Sequence, residues 1–127
     1  MNYLATSINE SPVIVGTAAA AITDVRGHAV KFNASGQVVL CSAGDTPLGI
    51  GIMTMGDQGA IAQGEEFTIQ HKDIGLVAAG GKIAAGANLS VGANGVFVTT
   101  SGEATVVAIA LEAAAAAGQY IKAILRF

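Results

Sequence analysis

The chain has 127 residues, enough for one domain of ordinary size to bury a core without metals or disulfides. Its 52% hydrophobic content is inflated by 25 alanines and aromatics make up only 5%, so an isolated copy is expected to have a thin core, which oligomer contacts would supplement. Charge is sparse, at 12% with a net of −3, and Arg26, Lys31, Lys72, Lys82, Lys122 and Arg126 are scattered, which argues against nucleic-acid binding through clustered phosphate contacts.

In chain order, the first seven residues lack the basic start and continuous apolar centre of a secretory signal. Residues 1–17 show no clear periodicity and carry Asn9-Glu10-Ser11-Pro12, yet Tyr3, Leu4, Ile8, Val13 and Ile14 are too apolar for a solvated tail. Ordering a segment costs about 1–2 kcal/mol per residue, which a partner surface must offset. The expectation is an extended arm over 1–16 that orders on a partner, ahead of one β-rich domain over 17–127. The alternative is a frayed terminus.

Seventeen glycines then punctuate the chain into short apolar runs, the pattern of an all-β sandwich or barrel. Strands are expected over Ala19–Thr23, His28–Phe32, Gln37–Cys41, Leu48–Thr54, Glu66–Gln70, Ile74–Ala78, Leu89–Val91, Val96–Thr99, Thr105–Leu111 and Gln119–Phe127. In the last of these Ile121, Ala123, Leu125 and Phe127 form an apolar set that should face the core, with Tyr120, Lys122, Ile124 and Arg126 turned outward. Ala113–Ala117 ahead of Gly118 predicts one or two helical turns near the C-terminus, or an irregular Ala-rich crossover. Val106–Ala117 is apolar but too short to cross a membrane. The predicted fold class is therefore mainly β, a small barrel- or sandwich-like domain with a short Ala-rich helix.

One phrase occurs twice. Ala34-Ser35-Gly36-Gln37-Val38-Val39-Leu40-Cys41-Ser42 is answered by Ala93-Asn94-Gly95-Val96-Phe97-Val98-Thr99-Thr100-Ser101, and each copy passes through a polar turn into a second apolar run, Leu48–Ile50 or Val106–Leu111. Residues 34–50 and 93–109 thus read as a duplicated strand–turn–strand unit, with nothing in either copy able to do chemistry.

Elsewhere the chemistry-bearing residues are isolated. Cys41 lies in an apolar run with no Lys, Arg or His adjoining it, the setting of a buried small hydrophobe rather than a reactive thiol. His28 opens a strand and His71 sits in a turn, and no Gly-x-Ser-x-Gly elbow supplies a nucleophile. Two histidines and one cysteine make no zinc spacing, so no metal or other cofactor is expected. Adjacent Glu65 and Glu66 point to opposite faces of a strand, while Asp45, Asp57 and Asp73 fit turn positions. Gly49-Ile50-Gly51 opens like a phosphate loop, but Met55 stands where a third glycine would be and no helix follows. Ile52-Met53-Thr54-Met55 lacks the lysine of a biotin-attachment tetrapeptide.

The phrase order carries more. Gly36-Gln37-Val38-Val39, Pro47-Leu48-Gly49-Ile50, Gly64-Glu65-Glu66-Phe67-Thr68-Ile69-Gln70, Ala84-Ala85-Gly86-Ala87-Asn88-Leu89, Asn94-Gly95-Val96, Ala108–Ala114 and Gly118-Gln119-Tyr120-Ile121 follow one another as in the head decoration, or capsid cement, proteins of tailed bacteriophages, which the chain resembles over about residues 16–127. The resemblance implies a β-rich, non-enzymatic protein made in the bacterial cytoplasm. It also implies a place on the exterior of the mature virion head as a trimer bridging major capsid proteins. Tyr3, Leu4, Ile8, Pro12, Val13 and Ile14 would then belong to a capsid-binding arm. A carbohydrate- or cell-surface-binding β module is the competing reading, weakened by few aromatic platforms, and a small hydrolase using His28 or His71 is a third.

Overall fold

A computed structural model describes residues 11–53 and 59–127. Among them run ten strands: β1 (Val13–Thr17), β2 (Ala29–Phe32), β3 (Val38–Leu40), β4 (Gly49–Met53), β5 (Glu66–Gln70), β6 (Ile74–Ala78), β7 (Asn88–Val91), β8 (Phe97–Thr99), β9 (Ala108–Ala110) and β10 (Tyr120–Leu125). They form two five-stranded sheets, ordered β1-β5-β4-β2-β3 and β6-β10-β9-β7-β8, with every neighbouring pair antiparallel.

The second order is the first advanced by five strands, so the chain is an internal duplication. It extends to single hydrogen bonds. Cys41 N–H to Ala29 C=O and Leu48 N–H to Val30 C=O recur as Thr100 N–H to Asn88 C=O and Val107 N–H to Leu89 C=O. The lone bridges Ala18–Val38 and Ile22–Ile61 recur as Ala79–Phe97 and Ile83–Ala114. The repeated phrase at 34–50 and 93–109 is thus the legible centre of a larger repeat, one unit built on β1–β5 and the other on β6–β10.

Turn chemistry enforces the two matching hairpins by different means. Asn33 folds β2 into β3 by accepting from the Ser35 and Gln37 N–H groups at 2.9 and 3.0 Å. Between β7 and β8 a 3₁₀ turn over Ala93–Gly95 places Asn94 and Gly95 at φ 57° and 77°.

Each sheet curls until the chain just past its first strand touches the last strand in spatial order, at Ala18–Val38 and Ala79–Phe97. A single bridge does not close a barrel, and the sandwich-like half of the expectation is the one that holds. Inside the curl each unit has an apolar cluster. The first gathers Ala18, Ile22, Val25, Val30, Val38, Ile61, Phe67 and Ile69. The second gathers the equivalent Ala79, Ile83, Leu89, Phe97, Ala114, Ile121 and Ala123, and also takes in Ala29, Cys41 and Ile50 from the opposite side of the first sheet. The outer face of sheet one therefore packs on the inner side of sheet two. Gly75 and Gly95 permit the approach. A Cβ on Gly75 would lie 2.8 Å from Ile50 Cδ1, and one on Gly95 would lie 2.5 Å from the Ala29 carbonyl oxygen.

Three expectations need correction. Ala113–Ala117 is not helical: Ala114 exchanges both backbone hydrogen bonds with Ile83 at 2.9 Å, and the Ala115 N–H donates to Gln119 Oε1. With both Ala114 backbone groups bonded across the unit to Ile83, the weak helical preference of a five-residue run is overridden. Ala19–Thr23 makes only the Ile22–Ile61 bridge instead of a strand. Val13–Thr17 is a strand, paired along its length with β5, so the division drawn at residue 16 falls inside β1. In β10 the expected alternation holds, with Ile121, Ala123 and Leu125 buried.

Candidate interaction surface

The outer face of the second sheet is built by cross-strand register. Ile74, Ile124 and Ile109 lie side by side on β6, β10 and β9, and Leu76 lies opposite Lys122 in the next row. Leu111 extends that row, because its N–H donates to the Lys122 carbonyl at 2.8 Å. Tyr120 follows, opposite Ala78. Ile74, Leu76, Leu111 and Tyr120 are 57%, 54%, 42% and 40% exposed, and Ile109 and Ile124 are half-buried. This is a contiguous apolar face on a sheet whose other side is already core, and contiguous exposed apolar area marks interaction sites.

A groove of about 580 Å³ opens where this face meets the first sheet. Gly51 and Ile52 of β4 and Gln70 of β5 form one wall, Ile74, Gly75 and Leu76 of β6 run along it, and Tyr120, Lys122 and Arg26 complete the rim. Gln70 is held by donating through Nε2 to the Lys72 and Ile74 carbonyls. Asp24 organises the polar end: it accepts from Arg26 Nε at 2.9 Å, from Arg26 Nη2 at 2.8 Å and from the Tyr120 hydroxyl at 3.1 Å. The Arg26 hydrogen bond is the main cause holding the Asp24 carboxyl down at about 2. Partial burial, then the hydrogen bond to Asp24, pushes the Tyr120 hydroxyl upward. The cluster fixes the Tyr120 ring at the rim and leaves no group poised to exchange protons near neutral pH.

The other candidates fall into structural roles. His28 Nδ1 lies 2.8 Å from the Arg26 carbonyl oxygen, and His71 Nε2 lies 2.9 Å from that of Ser11, so the imidazoles sit apart, each on backbone. Cys41 is buried, and desolvation pushes its thiol up to about 11. Asp45 accepts from the Ser42 N–H and pairs with Lys31 at 2.6 Å; Glu65 accepts from the Ala62 N–H in the turn before β5. Among the described residues no group of three His, Cys, Asp or Glu could hold a metal, and no helix is long and apolar enough to cross a membrane.

Of the residues assigned to an arm, Val13 and Ile14 lie in β1 opposite Gln70 and Ile69, Ile14 packs on the first cluster, and the Pro12 carbonyl accepts from the His71 N–H. Tyr3, Leu4 and Ile8 lie outside the described residues. The apolar outer face was missed by the sequence reading, because Lys122 and Arg126 made the outward side of β10 look polar. A signal existed in β6: Ile74-Gly75-Leu76-Val77-Ala78 carries no polar residue on either face, as in strands covered on both sides.

A model of the phage cement protein family matches residues 34–126. No curated protein matches the sequence. Among solved structures, the head fiber gp8.5 N base of bacteriophage phi29 is similar in fold, with a TM-score of 0.68 at 20% identity over 89% of this chain and 92% of that one.

Proposed function

Because this chain belongs to the phage cement protein family, a family of structural phage proteins and not of enzymes, we propose that it binds the exterior of the mature head and stabilises it by bridging major capsid proteins. The match over residues 34–126, from β3 to β10, is the observation that carries this reading, and the similarity in fold to part of a phage head fiber supports it. In this reading the protein is made in the host cytoplasm, joins the head as a homotrimer, and works by contact area rather than turnover. The N-terminal residues reach the capsid: Tyr3, Leu4 and Ile8 lie ahead of β1, while Pro12, Val13 and Ile14 root the segment in the first sheet. Many copies on one lattice multiply a modest affinity through avidity.

The test is co-sedimentation of the purified chain with expanded phage heads, with and without residues 2–10, a deletion that leaves β1 (Val13–Thr17) whole. The full chain is expected to pellet with heads and the truncated chain to lose most of that binding. Equal binding by both removes the N-terminal segment from the mechanism, and no binding by either overturns the head-binding reading.

A further inference from the structure

The duplication shows what kind of surface covers the outer face of such a sheet. In the first unit Ala29, Cys41 and Ile50, all on the outer face, are sealed by the inner side of the second unit. Among the described residues, no further sheet covers the second unit's outer face. Its counterparts of Ala29 and Cys41 are the polar Asn88 and Thr100, exposed and half-exposed, with the Thr100 hydroxyl 2.8 Å from that of the buried Ser90, while the counterpart of Ile50 is the half-buried Ile109. The apolar face is widened along the sheet: Tyr120 and Ile124 stand where the first unit has Glu66 and Gln70, next to exposed Ile74 and Leu76, whose counterparts on β1 are Val13 and Val15. A face meeting only solvent gains nothing by that exchange.

The opposite end of the chain presents the other half of the match. Phe32 projects from the inner side of sheet one, opposite Val38, and is 48% exposed; its counterpart Val91, opposite Phe97, is 3% exposed. Leu48 is half-buried where its counterpart Val107 is sealed. Among the described residues each chain therefore leaves open an apolar outer face on sheet two and an inner rim on sheet one, surfaces of the two types that already meet inside it.

We infer that the outer face of sheet two, around Leu76, receives the inner rim of sheet one, around Phe32, of a second copy of this chain. The contact is head-to-tail, and such heterologous contacts give rings when the rotation closes. This deepens the trimer element of the proposed function by naming its two surfaces, and it needs no capsid to be tested.

The experiment uses two full-length variants, Leu76→Glu and Phe32→Glu, each altering an exposed side chain, with circular dichroism and thermal melting to confirm that both fold. Sedimentation velocity over a concentration series is expected to show self-association of the wild type and at least tenfold weaker association of each variant alone. Mixing the two is the decisive arm. The Phe32→Glu chain keeps its outer face and the Leu76→Glu chain keeps its rim, so an equimolar mixture is expected to form a one-to-one dimer that grows no further. A mixture that stays monomeric, or a Leu76→Glu variant that associates like the wild type, overturns the inference. So does a monomeric wild type, including one that associates only after residues 1–10 are deleted, which would make the chain's own N-terminus the occupant. A chain that pellets with heads as a monomer fails this inference alone, whereas a head-to-tail oligomer that ignores heads fails only the head-binding reading.

Discussion

Gly75→Ala and Ile50→Val, made separately and together, test whether the outer face of sheet one rests on the inner side of sheet two. The alanine Cβ would sit 2.8 Å from Ile50 Cδ1 and 2.9 Å from Gln70 Oε1. Carbon atoms in contact prefer about 3.5–4.0 Å, so the added methyl overlaps by about 1 Å and overpacks the seam at a cost of about 1–3 kcal/mol. Valine at 50 removes that same Cδ1 from a fully buried side chain, which costs about 0.5–1.5 kcal/mol through lost contacts and a small cavity. In the double variant the new methyl occupies the space the old one left. The two losses are therefore expected to fall short of additivity by about 1 kcal/mol, the residue being the push on Gln70, whose amide is tied to two carbonyls. Urea unfolding of all four proteins at neutral pH measures the cycle, provided the m-values agree. Losses that add to within about 0.3 kcal/mol would refute the packing of the two sheets described above.

Two further perturbations probe the turn and the rim. Gly95→Ala and Gly36→Ala both place alanine at positive φ, 77° and 78°, but the first also drives Cβ to 2.5 Å from the Ala29 carbonyl oxygen while the second meets nothing within 4 Å. Gly36→Ala is expected to cost about 1–2 kcal/mol from backbone conformation alone and Gly95→Ala clearly more, read as urea midpoints, and equal costs would contradict the close approach of the units at Gly95. Asp24 titrates at about 2 instead of 3.8, so the unfolded chain binds more protons between those values and stability there rises with pH. The stabilisation is present in full above the ordinary aspartate range and fades as pH falls through about 2; the gap in melting temperature between wild type and Asp24→Asn is expected to be steady from neutral pH down to that range and then to shrink, and a gap that persists unchanged into strong acid would show that Asp24 acts by something other than its charge.

Much of the fold was legible because glycine-bounded apolar runs such as Gln37–Cys41 and Glu66–Gln70 carry their own start and stop signals. What escaped depended on partners distant in sequence. β1 was hidden because its outward Val15 is 61% exposed, which breaks the polar-out alternation of an edge strand, and its partner β5 lies some fifty residues on. Ala113–Ala117 read as helix because propensity is a local quantity, whereas the bonds to Ile83 that hold Ala114 extended come from the far side of the unit. For the candidate surface, charge misled. Lys122 and Arg126 made one side of β10 look solvated, and only the register that sets Leu76 beside Lys122, and Ile74 beside Ile124, shows the lysine standing in an apolar face.

The duplication also bears on why a short, alanine-rich chain presents so much apolar surface. A stack of two like units has one internal junction and two ends, and in repeat architectures the ends must either be made polar or be covered. Here the internal junction is well sealed, with Ile50 fully buried and glycines at 75 and 95 letting the backbones close on it. The ends are treated unevenly. Part of the terminal outer face has been made polar by Asn88 and Thr100, yet Leu76, Tyr120 and Leu111 remain open beside it, and Phe32 remains open at the other end. At about 25 cal/mol per Å² of apolar area, covering side chains of this size at both ends adds stability that a thin alanine-rich core lacks by itself. Covering either end, with a second copy or another surface, would extend to it the burial that the internal junction already provides.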